Sequence, residues 1–192
     1  MRHAYFPLSG FLSLVLQPPD GPGHLLEVGL VGREGMLGAE LSLGVATAPF
    51  HVLVQGAGSA WRIGREALDL EMARSASLQT TLQRYLGVTA AQLATSAACL
   101  RQHAPSARLA RWVLMSQDRA QAERFAVTPA FLTYMLGQGP RGVAQATRAL
   151  QHRGLIDLQG DALQVMDRPG LEAAACPCYR AGLANHRRHL GH

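Results

Sequence analysis

The chain has 192 residues, of which 48% are hydrophobic and 16% charged, and its net charge is +5. This composition is typical of a globular protein and excludes an intrinsically disordered one. No apolar run is long enough to span a bilayer, so we predict no membrane partner. The three cysteines are too few for a disulfide framework, and we therefore expect a reducing cytoplasm.

Positive charge is concentrated in the C-terminal half of the chain. Residues 1–70 carry a net charge of −2 and residues 101–192 carry +6, and every cation is an arginine. A basic half joined to an acidic half indicates a polyanion as the partner of the basic half. The alternative is a solvated surface in an arginine-rich protein. We favour nucleic acid.

Residues 5–63 have the pattern of short strands separated by turns. FLSLVL (11–16) and HLLEVGLVG (24–32) resemble strands, and PPDGPG (18–23) predicts a hairpin turn between them. We interpret GREGMLG (32–38) as a β-turn and not as a phosphate-binding loop, because it lacks the lysine of such loops. Short strands at regular spacing predict a small antiparallel sandwich or barrel.

A long amphipathic helix is predicted from about Ser75 to Gln102, where apolar residues recur at helical spacing. One small barrel would bury a helix of this length poorly, whereas a coiled-coil-like dimer seam would use it. The alternative is a helix that folds back on its own domain. We favour a homodimer. The recurring apolar positions are Leu82, Leu86, Leu93, Ala97 and Leu100.

The C-terminal half predicts three more helices and a hairpin. SARLARWVLMSQDRAQ (106–121) has the spacing of a helix. A second helix has Thr128 as its N-cap, Pro129 at its first position and Gly137 as its stop. After a tight turn over residues 137–139, a third helix begins at Pro140 and ends by Gly154.

Two short strands around residues 159–161 follow the last of these helices. The order helix, tight turn, helix, hairpin is that of a winged helix-turn-helix. The second helix of such a motif buries one face and presents its early turns to the major groove of DNA. Here Val143, Ala146, Ala149 and Leu150 form the apolar side that we expect to be buried.

The exposed early face of this helix carries residue types that read or hold DNA. Arginine reads guanine and glutamine reads adenine, each through paired hydrogen bonds. Arg148 and Arg153 lie later, where contact with phosphate is expected, and Thr128 begins a helix whose N-terminus attracts phosphate. The predicted DNA-binding residues are Thr128, Gln138, Arg141, Gln145, Arg148 and Arg153.

Several stretches of the chain together resemble the Crp/Fnr-type transcriptional regulators. The resemblance covers most of the chain and implies a cyclic-nucleotide-binding-like β-roll at 1–72, a long dimerisation helix at 73–103 and a winged helix-turn-helix with a C-terminal extension at 104–192. The fold class is therefore α+β. The stretches are AYFPLSG (4–10), EVGLVGREGMLGAELSLG (27–44), RLARWVLMSQDR (108–119), LTYMLGQGPRGVAQATRALQHRGLI (132–156) and LQVMDRPGLEAAACPCY (163–179).

Three departures from this family change what we expect. The resemblance starts at AYFPLSG, which in the family follows a few dozen residues, so we expect a roll without its first strands. Nucleotide-binding members hold ribose and phosphate with Gly-Glu and Arg-Ser pairs. Gly38-Ala39 and Ala48-Pro49 stand there instead, and without the arginine we expect an effector other than cAMP. Gly139-Pro140 replaces residues that are often polar or basic, which leaves Arg141 and Gln145 most of the base readout.

We therefore predict a sequence-specific DNA-binding regulator that acts as a homodimer on double-stranded DNA. Its other partners would be RNA polymerase and a small-molecule effector that the residues do not identify. The alternative is a degenerate ligand-sensing or interaction module that does not read DNA sequence. We predict no enzyme, because no catalytic constellation is present.

The C-terminal tail gives the third hypothesis, a metal sensor. Cys176 and Cys178 with His186 and His189 form a weak ligand pattern, because a lone C-x-C has no second pair. We favour a helix with two incidental thiols, interpret Cys99 as a small core residue and predict neither metal nor cofactor. Haem ligation by His3, His24 or His51 stays open, although scattered histidines are usually structural.

Overall fold

The computed structural model describes residues 1–17 and 25–191 of the chain and confirms the α+β fold class. An N-terminal β-roll is followed by a long helix and then by a helical domain with a small sheet. The strands are β1 His3–Pro7, β2 Phe11–Leu16, β3 Leu26–Val31, β4 His51–Gln55, β5 Ala60–Gly64, β6 Arg124–Ala126, β7 Ile156–Gln159 and β8 Ala162–Val165. The helices are α1 Arg65–Arg74, α2 Ala76–Gln102, α3 Pro105–Ala120, α4 Pro129–Leu136, α5 Pro140–His152, α6 Arg168–Ala174 and α7 Cys178–Leu190, with a short 3-10 helix at Ala39–Leu43.

The roll consists of two small antiparallel sheets. One sheet pairs β1 with β5, and the other has the order β3-β2-β4. The hairpin turn predicted at 18–23 lies outside the described residues, but the strands on either side of it pair antiparallel, with Leu12 opposite Val31. The apolar residues buried between these sheets and the helices that follow are Ala4, Met36, Ala39, Leu41, Leu68 and Leu82.

The long helix α2 begins where the sequence predicts. The Ser75 side chain accepts a hydrogen bond from the Leu78 amide at 3.1 Å, which caps the helix. The short helix α1 before it was not predicted. Leu68 is its one buried residue, so its sequence carries no apolar stripe that would mark it as a helix.

Most of the leucine stripe of α2 faces the chain's own domains. Leu82 and Leu86 pack in the core of the roll, and Leu100 lines a small cavity with Trp112 and Met135. These leucines, which the sequence suggests for a dimer seam, cover intramolecular surfaces, because the roll and the C-terminal domain both pack against α2. The leucine face of α2 is thus folded back on the chain's own domains, which is the alternative that the sequence left open. The opposite, outer face of α2 carries other residues.

A second core surrounds Trp112 of the C-terminal domain, and Phe11 and Leu30 of the roll also belong to it. The ring of Trp112 lies 6.1 Å from that of Phe125 and 5.9 Å from that of Phe131, between centroids. Its sheet has the order β6-β8-β7. Strand β6 was not predicted, because three residues are too few to show a periodic pattern. Among the described residues, no helix combines the length and the apolarity needed to cross a membrane.

Candidate nucleic-acid interface and a second side-chain cluster

Helix α4 is bounded by the residues that the sequence marks. The Thr128 hydroxyl accepts a hydrogen bond from the Phe131 amide at 3.0 Å, and Pro129 is the first helical residue. Gly137 ends the helix with a φ of 56°, a left-handed conformation that glycine adopts without strain, and its amide donates to the Thr133 carbonyl. A turn of three residues therefore separates α4 from α5.

Helix α5 buries one face against α3 and α4. Val143, Ala146 and Leu150 are buried there, as predicted, together with Thr147. Ala149, predicted on the same apolar side, is exposed. No side chain caps the N-terminus of α5, because Gly139 occupies the N-cap position. Uncapped amides at a helix N-terminus are available to an anion such as phosphate.

The opposite face of α5 is exposed and basic. Arg141, Gln145 and Arg148 follow one another at steps of four and three residues and so share one side of the helix. Residues 129–156 contain no aspartate or glutamate. The six residues predicted to bind DNA, Thr128, Gln138, Arg141, Gln145, Arg148 and Arg153, are all exposed.

The wing lies beside this helix. Strands β7 and β8 pair antiparallel around a turn in which Gly160 has a φ of 58°. Arg124 on β6 is exposed and lies opposite Gln164 of β8, so the outer strand of the sheet adds one more cation. Sequence reasoning missed Arg124, since it did not place a strand there.

Comparison with solved structures identifies the fold. A CRP-family transcriptional regulator from Thermus thermophilus is similar over 91% of this chain and 88% of its own, with a TM-score of 0.71 and 20% identity. FixK2 from Bradyrhizobium japonicum matches over the same shares with a TM-score of 0.71 and 15% identity. The c-di-GMP-responsive global regulator CLP from Xanthomonas campestris matches over 86% of this chain and 85% of its own, with a TM-score of 0.64 and 17% identity.

This chain has the Crp/Fnr regulator fold. The sequence itself matches no protein-family model and no curated protein sequence. The structural likeness thus confirms the resemblance, and it does so through the arrangement of the elements and not through sequence identity.

In this Crp/Fnr roll, the segments that correspond to the nucleotide-binding pairs do come together. Gly38, Ala39, Glu40, Ala48 and Pro49 line one cavity of about 30 Å³. That volume holds a water molecule or two, whereas sites for small organic ligands measure about 300–1,000 Å³. No arginine is among the described residues that line the cavity. The cavity is therefore smaller than a typical ligand site, and no guanidinium of the described residues lines it.

Polar side chains join the roll to the C-terminal domain. Glu27 on β3 accepts hydrogen bonds from Ser13 at 2.8 Å and from the Trp112 indole at 3.1 Å. Burial raises the pKa of this carboxyl to about 7, although both hydrogen bonds act to lower it. Arg119 on α3 forms an ion pair with Glu34 at 2.8 Å, which makes a second link between the two parts.

A further network fastens the C-terminal extension to α3. The Arg168 guanidinium donates to Gln117 and to Asp118, each at 2.7 Å, and to Glu172 at 3.1 Å. The Tyr179 hydroxyl donates to the other oxygen of Asp118 at 2.9 Å. Residues of α3, α6 and α7 are therefore held by one set of charge-assisted hydrogen bonds.

A cluster of three thiols and one imidazole lies at the end of α2. The ligand atoms of Cys99, His103, Cys176 and Cys178 are all within 4.8 Å of one another. Cys99 and Cys176 are 3.4 Å apart between sulfurs, and this hydrogen bond lowers the pKa of Cys99 to about 5 and raises the pKa of Cys176. The two thiols therefore titrate as a coupled pair and not independently.

The sequence suggested different partners for the tail thiols. His186 lies instead 3.4 Å from the Glu34 carbonyl oxygen, and His189 is exposed. The thiols meet Cys99 and His103, which precede them by more than seventy residues in the chain. Of the other histidines, His3 and His51 lie in different sheets of the roll, and His24 lies outside the described residues.

Proposed function

We propose that this chain is a sequence-specific DNA-binding transcriptional regulator that acts as a homodimer. One observation carries the proposal: the exposed face of α5, the second helix of a tight helix-turn-helix, carries arginines and no acidic residue. Residues 1–72 would then sense a signal or support the dimer, residues 73–103 would dimerise and residues 104–192 would bind DNA. Solved structures that share this fold include a CRP-family transcriptional regulator and the global regulator CLP.

The residues of the interface divide by the chemistry they can perform. Arg141 and Gln145 lie on early turns of α5, where side chains reach base edges in the major groove. Arg148, Arg153 and Thr128 lie farther along or on the neighbouring helix, where contacts to phosphate fix the position of the protein. Because Gly139 and Pro140 offer no polar side chain, specificity rests on few residues.

The homodimer would use the outer face of α2. The exposed residues at helical spacing on this face are small, Gly87, Ala90, Ala94 and Ala97, and small side chains let two helices approach closely. We expect Ala94→Glu to shift the chain towards monomer in sedimentation experiments. Ala73→Glu, which is exposed on α1, is the matched control and should leave the mass unchanged.

The effector would be a molecule other than cAMP. The cavity at Gly38 and Pro49 supports this, since it is small and lacks a cation. Calorimetric titration with cAMP should give no heat of binding at micromolar concentration. A saturable, stoichiometric heat would contradict this part of the proposal.

Selection from random duplex DNA at near-physiological salt tests the main proposal. We expect enrichment of an inverted repeat whose half-sites lie about one helical turn, roughly 34 Å, apart. Arg141→Ala should relax one position in each half-site by about 1–3 kcal/mol of discrimination. Arg62→Ala, an exposed arginine of the roll, is the control and should leave the selected sequence unchanged.

A second candidate is a module that no longer reads DNA sequence, which Gly139 and Pro140 favour. It predicts binding that is equal for all duplexes and vanishes as salt rises. If selection does enrich a site, in vitro transcription from it will separate activation, which requires contact with RNA polymerase, from repression.

A further inference from the structure

The thiol and imidazole cluster has the dimensions of a mononuclear metal site. Zinc binds thiolate sulfur at about 2.3 Å, so neighbouring ligand atoms of a tetrahedral site lie about 3.8 Å apart. Here the sulfurs of Cys99 and Cys176 are 3.4 Å apart, and the Cys178 sulfur is 3.7 Å from Nδ1 of His103. All four ligand atoms lie within 4.8 Å of one another, so a single ion can reach each of them.

We propose that Cys99, His103, Cys176 and Cys178 bind one zinc ion as a tetrahedral Cys3His site at the end of α2. This inference is independent of DNA binding, since none of the four residues belongs to the α5 face.

The local structure presents these ligands without rearrangement. Cys99 lies in the last turn of α2, and His103 follows the helix in an extended conformation, with φ −117° and ψ 144°. The Cys176 amide donates to the Ala107 carbonyl at 3.3 Å, and the Tyr179 amide donates to the Cys176 carbonyl at 3.1 Å. The short link between α6 and α7 is therefore held against the start of α3 with both of its thiols on the cluster.

The charges around the cluster match those of a zinc–thiolate group. Three thiolates and a neutral imidazole give a Zn²⁺ site a net charge of −1. Arg108 is 6% exposed, and its Nη2 has no hydrogen-bond partner among the described residues. Arg108 and Cys99 line the same small cavity. An anionic metal site would therefore compensate a guanidinium whose burial otherwise costs free energy.

An ion can also reach the cluster from solvent. Cys178 is half-buried and lines an open cleft of about 830 Å³ between α2, α3 and α7. A metal site needs such access as well as ligands and charge. The cluster thus combines four ligands, a compensating cation and a path for the ion.

A disulfide and an iron–sulfur cluster are two other chemistries that cysteines can form, and each fits these four residues less well than zinc. A disulfide between Cys99 and Cys176 would need a two-electron oxidant and would leave Cys178 and His103 without a role. A cluster of several irons distributes its cysteines over different metal atoms, whereas here the four ligand atoms converge on one point. Tetrahedral coordination by sulfur and imidazole nitrogen is the arrangement that zinc takes in structural sites.

A zinc ion in this position would clamp the junction between the long helix and the C-terminal domain. Cys99 and His103 lie where α2 passes into α3, and α7 packs along α2. Linking these ligands to Cys176 and Cys178 fixes the direction of α3 relative to α2. The site is thus placed to hold the orientation of the winged helix.

Metal analysis of the full chain, purified without an affinity tag and with reductant, tests the proposal. We expect one zinc per chain after exchange against a weak chelator, and the visible spectrum of a tetrahedral thiolate complex when Co²⁺ replaces zinc. His103→Ala should weaken zinc binding by more than about 100-fold, whereas His189→Ala, an exposed histidine of α7, should retain one zinc. A folded, reduced chain that binds neither ion would overturn the proposal.

Two further results keep the test decisive if His103→Ala does not fold. His103→Cys should still bind Co²⁺ and should show stronger sulfur-to-cobalt charge transfer, because the fourth ligand becomes a thiolate. An unchanged cobalt spectrum in this variant would exclude His103 as a ligand and overturn the proposed set. A metal-free Cys99–Cys176 disulfide in protein purified without reductant, with no zinc bound after reduction, would identify a redox pair in place of a metal site.

Discussion

Helix α5 and the C-terminal extension formed by α6 and α7 use polar residues in opposite ways. On α5 the arginines and glutamines point to solvent and have no acidic neighbours within residues 129–156. In the extension, Arg168 and Tyr179 are directed inward and bonded to Asp118 on α3, and two thiols lie against a third from α2. The first surface is left open to solvent, whereas the second holds the chain to itself.

The difference explains why one region could be interpreted from sequence and the other could not. A recognition helix is defined by local signals, namely a cap, a stop and a periodic apolar face, all of which lie within about thirty residues. An inward network is defined by residues from separate elements.

The largest effect is expected at the core under α5. Leu150 is 1% exposed, and Leu150→Ala should lower the free energy of unfolding by about 2–5 kcal/mol, since it removes buried methyl groups and leaves a cavity. Denaturant unfolding measures the change. Leu8→Ala, at a position 50% exposed, should stay within about 0.5 kcal/mol of the parent. Equal losses in the two variants would contradict the assignment of this core.

Arg168→Ala tests the inward network and should destabilise the chain by about 2–3 kcal/mol. The substitution leaves Asp118 with one of its two partners and removes the link between α6 and α3. Arg180→Ala, an exposed arginine on α7, provides the control and should have little effect. A stability change in Arg168→Ala no larger than in the control would mean that the network does not hold the extension in solution.

The boundaries of α4 and α5 could be predicted because single residues fix them. Thr128, Pro129, Gly137 and Pro140 each act on the backbone next to them, so distant packing did not alter the outcome. The long helix α2 was predicted from a different signal, the helical spacing of its apolar residues. Its leucines were assigned to a dimer seam, because periodicity shows that a face is apolar but not which surface covers it.

The thiol cluster could not be found by spacing. Cys99 and Cys176 are 77 residues apart, and only the packing of α7 on α2 brings them together. The pairing with His186 and His189 was suggested by nearness in sequence, and the folded chain directs those histidines elsewhere. Strand β6 and helix α1 were missed because one is too short and the other lacks an apolar stripe.

Glu27, at the junction of the two domains, should make stability depend on pH. Its pKa is about 7 in the folded chain and 4.5 for an unperturbed glutamate, so folding favours the protonated form. The contribution of this carboxyl to the free energy of unfolding is fully present below about pH 4.5, where it is protonated. That contribution is lost as the pH rises towards 7, and it stays lost at higher pH. Glu27→Gln, which mimics the protonated side chain, should be more stable than the parent at pH 8 by about 1–2 kcal/mol.

The pH dependence of the difference between the two proteins is the informative quantity. The stability advantage of Glu27→Gln should shrink as the pH falls to 5, because the parent carboxyl then takes up its proton. A constant difference from pH 5 to 8 would show that Glu27 does not titrate in this range. Glu66→Gln, at an exposed position on α1, controls for the general effect of removing a negative charge.

The smallest effect concerns the outward face. Arg148→Ala should weaken binding to the selected site and to random duplex by a similar factor, about fivefold, because a phosphate contact carries no sequence information. Each lost phosphate contact should reduce the slope of log Kd against log salt by about 0.9, which makes about 1.8 for a dimer. Binding should be measured at four salt concentrations, with Arg62→Ala as the control. The uniform weakening expected for Arg148→Ala differs from the effect of Arg141→Ala, which should reduce binding to the selected site alone. An unchanged salt slope in Arg148→Ala would place this arginine away from the phosphates and confine the contact surface to the first turns of α5.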